Sequence, residues 1–146
     1  MGKSQKHLIR MLEEYGYQKF IYKKNMNLAE TYEKLIEDEM GVKSKSFDSI
    51  PIHNPSDYLK ELMHEQYEYE LNSKRAKDEM DRIWKREHFT ERFAALNDIE
   101  KKIIELRYFE CMSQDKVSRV IQYCDKSYIS KKENKAIIKM LKVKFE

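Results

Sequence analysis

One short stretch near the end of the chain carries Lys126, Lys131, Lys132 and Lys135 together with Ser127, Ser130 and Asn134. A lysine ammonium neutralises phosphate and can donate to the acceptors of guanine, and an asparagine amide matches the donor–acceptor edge of adenine. Those residue types at helical spacing suit nucleic-acid recognition. Lys131 and Asn134, flanked by Ser127 and Ser130, are the candidates for base edges. Lys126, Lys132, Lys135, Lys139 and Arg119 suit phosphate contacts, which set affinity and register rather than sequence. Residues 126–146 hold seven Lys against two acids, whereas residues 1–96 hold 17 Lys and Arg against 18 Asp and Glu. The overall net charge of +3 therefore conceals a basic focus on the last element, the footprint expected of a phosphate-binding surface.

Other chemistries find little support. His7, His53, His64 and His88 are scattered without a metalloprotease spacing, and three glycines cannot build a phosphate-cradling loop. Carboxylate runs such as Glu37-Asp38-Glu39 fit a solvated helix face. Cys111 and Cys124 lie thirteen positions apart with no CxxC and no nearby His partner, which fits two reduced thiols better than zinc or a disulfide. No enzyme activity, catalytic residue, cofactor, metal or small-molecule substrate is expected. The basic start lacks the apolar core of a secretory signal, and no window approaches the ~20 apolar residues of a membrane span. A cytoplasmic protein with no membrane contact is the expectation.

The elements that must position these residues read as all-α. Charged residues make up 38% of the chain, with three Gly and two Pro, which suits long helices rather than a sandwich or barrel. Leu8, Met11, Tyr15, Tyr22, Met26, Ala29, Tyr32 and Ile36 recur in steps of three or four, predicting a helix from Ser4 to Met40. Gly16 is its weak point, where a bend is expected, and Gly41 is a natural stop. A linker, Val42 to Pro55, follows. Ser56 then caps a second helix from Asp57 to His88. Its seam alternates Leu59, Gln66, Ser73 and Met80 with Leu62, Tyr69, Ala76 and Ile83, a coiled-coil-like 3-4 spacing. Two such helices must pair as a hairpin, with another copy of the chain, or both. Trp84 and Phe89 are expected to anchor this part to the next.

Thr90 to Ala95 reads as a joint, and three short helices follow. Asn97 and Glu100 form a capping box, Ser113 caps Gln114–Tyr123, and Asp125 caps a helix from Lys126 to about Val143. Ile99, Ile103, Leu106, Val117, Val120, Ile121, Ile129, Ala136, Ile137, Met140 and Leu141 are the expected inner positions. A second helix after a tight turn, with a basic face, is the helix-turn-helix layout. The expected organisation is a hairpin and dimerisation region over 1–92, containing a loop at 41–55, and a DNA-binding domain over 93–146.

The last third resembles the promoter-reading C-terminal domain of bacterial sigma factors. Leu96, Glu100, Ile104 and the Leu106-Arg107-Tyr108 triplet carry the likeness, with Ser113, Asp115 and Val117 on the first helix of the motif. Ile129, Glu133, Lys135, Ala136, Met140 and Leu141 carry it on the second. Ser127 and Ser130 stand where sigma recognition helices usually have Arg, and the turn before Ile129 lacks its customary Gly. The plan of the whole chain resembles the ArpU/RinA-like late-transcription regulators of phages, with Asp48-Ser-Ile-Pro51 and Pro55-Ser-Asp57 as the matching loop pieces. The resemblance implies a phage-encoded, sequence-specific activator of late genes, binding double-stranded DNA as a homodimer. Host RNA polymerase is a further candidate partner. Two other readings stay open: a DNA-recognition subunit of a phage packaging machine, and a sigma-like adaptor that grips RNA polymerase by protein contact.

Overall fold

The computed structural model describes residues 2–45, 57–121 and 125–145. The regular structure among them is helical throughout: α1 Lys3–Lys45, α2 Asp57–Arg86, α3 Phe89–Ala94, α4 Asp98–Ile104, α5 Gln114–Val120 and α6 Lys126–Leu141. α4 runs directly into a π-helical turn, Glu105–Phe109, in which the Glu110 amide reaches back five residues to the Glu105 carbonyl at 2.9 Å. Expectations for residues 46–56, including the Ser56 cap, lie outside the described residues.

α1 runs unbroken through both glycines that were expected to interrupt it. A single Gly weakens a helix by only ~1 kcal/mol, too little to end one whose following residues still make backbone hydrogen bonds. Residues 42–45, expected in a linker, are its last turn. Gly16 serves a different purpose from a bend. A Cβ built on it would stand 1.8 Å from the Tyr108 carbonyl oxygen, so the π-helical turn approaches α1 where only hydrogen fits.

The chain divides into two compact units, Met1–Phe20 with Asp78–Glu146, and Ile21–Lys77. In the smaller one, Ile36 packs with Leu59 and Leu62, and Tyr32 lies against them. The Tyr32 and Tyr69 rings are 5.4 Å apart, and the Lys77 ammonium sits 5.9 Å from the Tyr22 ring centre. Ascending positions on α1 thus meet descending positions on α2. The expected α2 seam is the observed one: Leu59, Leu62, Ser73, Ala76, Met80 and Ile83 are buried, and Gln66 and Tyr69 half-buried. Because the seam is covered within one chain, it does not itself require a second copy.

The larger unit draws Leu8, Leu12, Ile83, Phe89, Phe93, Leu96, Ile104, Tyr108, Phe109, Ala136, Ile137 and Met140 into one core. A boundary between residues 92 and 93 runs through that core rather than beside it. The expected joint, Thr90–Ala95, is mostly helix α3, whose Phe89 and Phe93 point inward one turn apart. Trp84 stacks on Phe93 at 5.5 Å, meets Phe89 edge-on at 5.5 Å, and donates its indole N–H to Thr90 Oγ1 at 2.7 Å. The expected anchor role of Trp84 and Phe89 is met by these contacts.

Candidate nucleic-acid interface

Three local caps set the last helices. Asn97 and Glu100 complete a reciprocal capping box, with N–O distances of 2.9 and 3.0 Å. Ser113 Oγ accepts from the Lys116 amide at 3.2 Å, and Asp125 Oδ1 accepts from the Tyr128 amide at 2.7 Å. Each satisfies a backbone donor that a helix start leaves orphaned. α5 ends at Val120, shorter than expected, because Ile121 turns extended. Val120 is consequently 47% exposed instead of inward. Residues 122–124, including Cys124, lie outside the described residues.

A second apolar cluster joins α4, the π-helical turn, α5 and α6 through Ile103, Leu106, Val117 and Ile129, with Ile99, Met112 and Ile121 against it. Above it α6 is fixed by polar contacts. Glu133 is 5% exposed and accepts from Arg107 Nε at 3.1 Å and from Gln114 Nε2 at 2.7 Å. Arg107 also donates to the Met112 carbonyl at 2.8 Å. One buried carboxylate therefore holds the start of α5 and the middle of α6 in register. Burial pushes the Tyr108 hydroxyl well above the ordinary tyrosine range, and the Glu133 carboxylate adds to the shift.

Nearer its end, α6 is held twice more. Arg92 donates to the Met140 carbonyl at 2.9 Å, one of the carbonyls a helix end leaves open. Burial draws the Arg92 guanidinium below its usual range. Lys139 Nζ donates to Glu100 Oε1 at 2.7 Å. Burial raises the Glu100 carboxyl, but the Asn97 amide and the Lys139 and Lys132 ammoniums outweigh it and hold the group below the usual carboxylate range. Lys139, expected at phosphate, is half-exposed and carries an ion pair to Glu100.

The remaining residues expected at DNA stay on the surface. Lys126, Ser127, Lys131, Asn134, Lys135 and Arg119 are exposed, and Ser130 and Lys132 half-buried. Among the described residues, Lys126, Lys131, Lys135 and Arg119 enter no ion pair. Ile129, Ala136, Ile137 and Met140 occupy the opposite face and are buried. Leu141, expected inward, is half-buried against the core. Compared with protein-family models, curated proteins and solved structures, the chain gives no significant match to any of them.

One surface residue escaped the sequence reading. Tyr128 is 38% exposed, with the Lys132 ammonium 5.6 Å from its ring centre. Tyr128, Lys131, Lys135 and Ile138 recur at steps of three and four, so they form one outer stripe, visible in retrospect as the complement of the inner one. The cation–aromatic combination gives this stripe a hydroxyl and a ring as well as charge. Among the described residues no group of His, Cys, Asp and Glu could hold a metal ion, and no helix is long and apolar enough to cross a membrane.

Proposed function

We propose that α5 and α6 form a helix-turn-helix that reads double-stranded DNA, with α6 in a major groove. The observation that carries this is the division of labour on α6. Its inner face is locked by Ile129, Glu133, Ala136 and Met140, while Lys126, Lys131, Lys135 and Asn134 remain exposed, the lysines without ion-pair partners among the described residues. A rigid helix with unneutralised cations on its outward face is what electrostatic capture of phosphate followed by edge reading needs. Lys131 and Asn134 read bases, Ser127, Ser130 and Tyr128 line the same approach, and Lys126, Lys132, Lys135 and Arg119 hold the backbone. Lys139 acts through Glu100 to steady the helix.

On this reading the chain is a sequence-specific transcriptional regulator of the phage late-gene activator type, and α1 with α2 form its helical hairpin. Pairing of two copies belongs to the reading because one such reader spans a short site and gains affinity from a second half-site. The same surface also suits a packaging subunit that marks viral DNA. Mapping bound sites across the phage and host genomes separates the two. Sites upstream of late genes support activation, and sites inside a packaging gene favour the alternative. Uniform occupancy that Lys131→Glu leaves unchanged would overturn both.

A further inference from the structure

The first two turns of α6 are the part that a helix-turn-helix presents to base edges. In that stretch Ile129 and Glu133 are buried, and the side chains left exposed or half-buried are Lys126, Ser127, Tyr128, Ser130, Lys131 and Lys132. All but one of these are ammonium or hydroxyl donors with little apolar surface at the tip. Tyr128 is the exception, a ring 38% exposed to solvent. Its backbone is fixed, because its amide donates to the Asp125 cap at 2.7 Å. Its ring is steadied as well, with the Lys132 ammonium 5.6 Å from the centre. Lys131 follows three positions later and Lys132 four, the spacing at which helical side chains are neighbours. An aromatic face thus stands beside the lysine assigned to a base edge and the lysine assigned to a phosphate.

In the major groove the four bases present acceptors, amino donors and one apolar group, the methyl of thymine. Lys131 matches the acceptors of guanine, and Asn134 the edge of adenine. Neither suits a methyl, which leaves water favourably only against apolar surface. We infer that Tyr128 is a specificity-determining residue of the reader, its ring packing on the methyl of a thymine close to the guanine held by Lys131. Helical neighbours stand about 5–6 Å apart at Cβ and successive base pairs rise ~3.4 Å, so that thymine lies within two steps of the guanine. The phenol hydroxyl is the competing group, since it can donate to a phosphate. Lys126, Lys132 and Lys135 already serve phosphates with full charge, and a neutral hydroxyl releases no counterion. The ring supplies what the rest of this face lacks. The assignment rests on α6 being the DNA reader and goes beyond it by naming one base.

Duplexes selected from a randomised library by the full chain supply the probe. Each thymine of the selected duplex is then replaced singly by deoxyuridine, which removes the methyl and leaves the pairing edge unchanged. One replacement, within two base pairs of a guanine, is expected to weaken binding about fourfold, the effect of one buried methyl. Tyr128→Ala should bind the thymine and uracil duplexes equally, and Tyr128→Phe should restore the difference, because the ring makes the contact. The side chain lies on the surface and the cap bond is made by the backbone, so these variants keep the fold, which circular dichroism verifies. Indifference to every replacement overturns the inference, as does a thymine preference that Tyr128→Ala retains. Equal weakening of both duplexes by Tyr128→Phe also overturns it, because the hydroxyl would then be on a phosphate. Selection that enriches no sequence, or binding that Lys126→Glu with Lys135→Glu leaves unchanged, sinks the α6 reading itself and this assignment with it.

Discussion

The two compact units bury apolar surface in very different ways. The larger one closes an aromatic cluster in which Trp84, Phe89, Phe93, Phe109 and Tyr15 touch one another. The smaller one relies on a seam whose connected core is Ile36, Leu59 and Leu62, and leaves Met and Tyr side chains outside it. The difference teaches which part is built to hold a fixed geometry: interlocking rings tie the larger unit, and a thin seam the smaller. On the proposed reading, α6 must be rigid to place Lys131 and Asn134 within hydrogen-bond tolerance of base edges.

Truncation tests the contrast most strongly. Phe89→Ala in the larger unit should lower stability by about 3–5 kcal/mol in urea unfolding. Leu62→Ala should lower it by only about 2 kcal/mol, because a thin seam can collapse around the gap. Equal losses would erase the distinction. Gly16→Ala probes the closest approach in the larger unit, where the new methyl meets the Tyr108 carbonyl. It should lower stability by about 3 kcal/mol, although alanine is the better helix former. A gain would mean that the π-helical turn yields freely.

Glu133→Ala strands Arg107 and Gln114 beside a cavity and should lower stability by about 2–3 kcal/mol. DNA affinity should fall with it, since α6 loses its register against α5; unchanged affinity would show that this clamp does not serve the reader. The smallest effect concerns acid. The Glu100 carboxyl is held below its unfolded value, so the unfolded chain takes up its proton first. Its contribution is present above the ordinary carboxylate range and is lost as pH falls through the folded value. Glu100→Gln should therefore be less stable at neutral pH and show a shallower loss between neutrality and acid. Parallel pH profiles for the variant and the parent would contradict the Lys139–Glu100 assignment.

Much of this was legible in local patterns. The α2 seam and the caps at Asn97, Ser113 and Asp125 follow from spacing and side-chain chemistry that act within one or two turns. What escaped was decided by longer-range contacts. Leu12, fully buried, was passed over because Leu8, Met11 and Tyr15 satisfy a helical step equally well, and only the packing of α1 on Ile83 and Met140 chooses between them. Six-residue α3 is too short to show a period, and the use of Gly16 depends on the backbone of Tyr108, far along the chain. For the candidate site, residue types identified the basic face, but the capture of Lys139 by Glu100 and the exposure of Tyr128 needed the fold.

The central claim rests on α6, and a salt titration of DNA affinity tests it most directly. With Arg119, Lys126, Lys132 and Lys135 at phosphates, log K against log salt should have a slope of about −3 to −4. Lys126→Glu with Lys135→Glu should flatten that slope by about 2 and weaken binding throughout. A shallow slope that these substitutions leave unchanged would contradict the assignment of α6 as the DNA-reading helix.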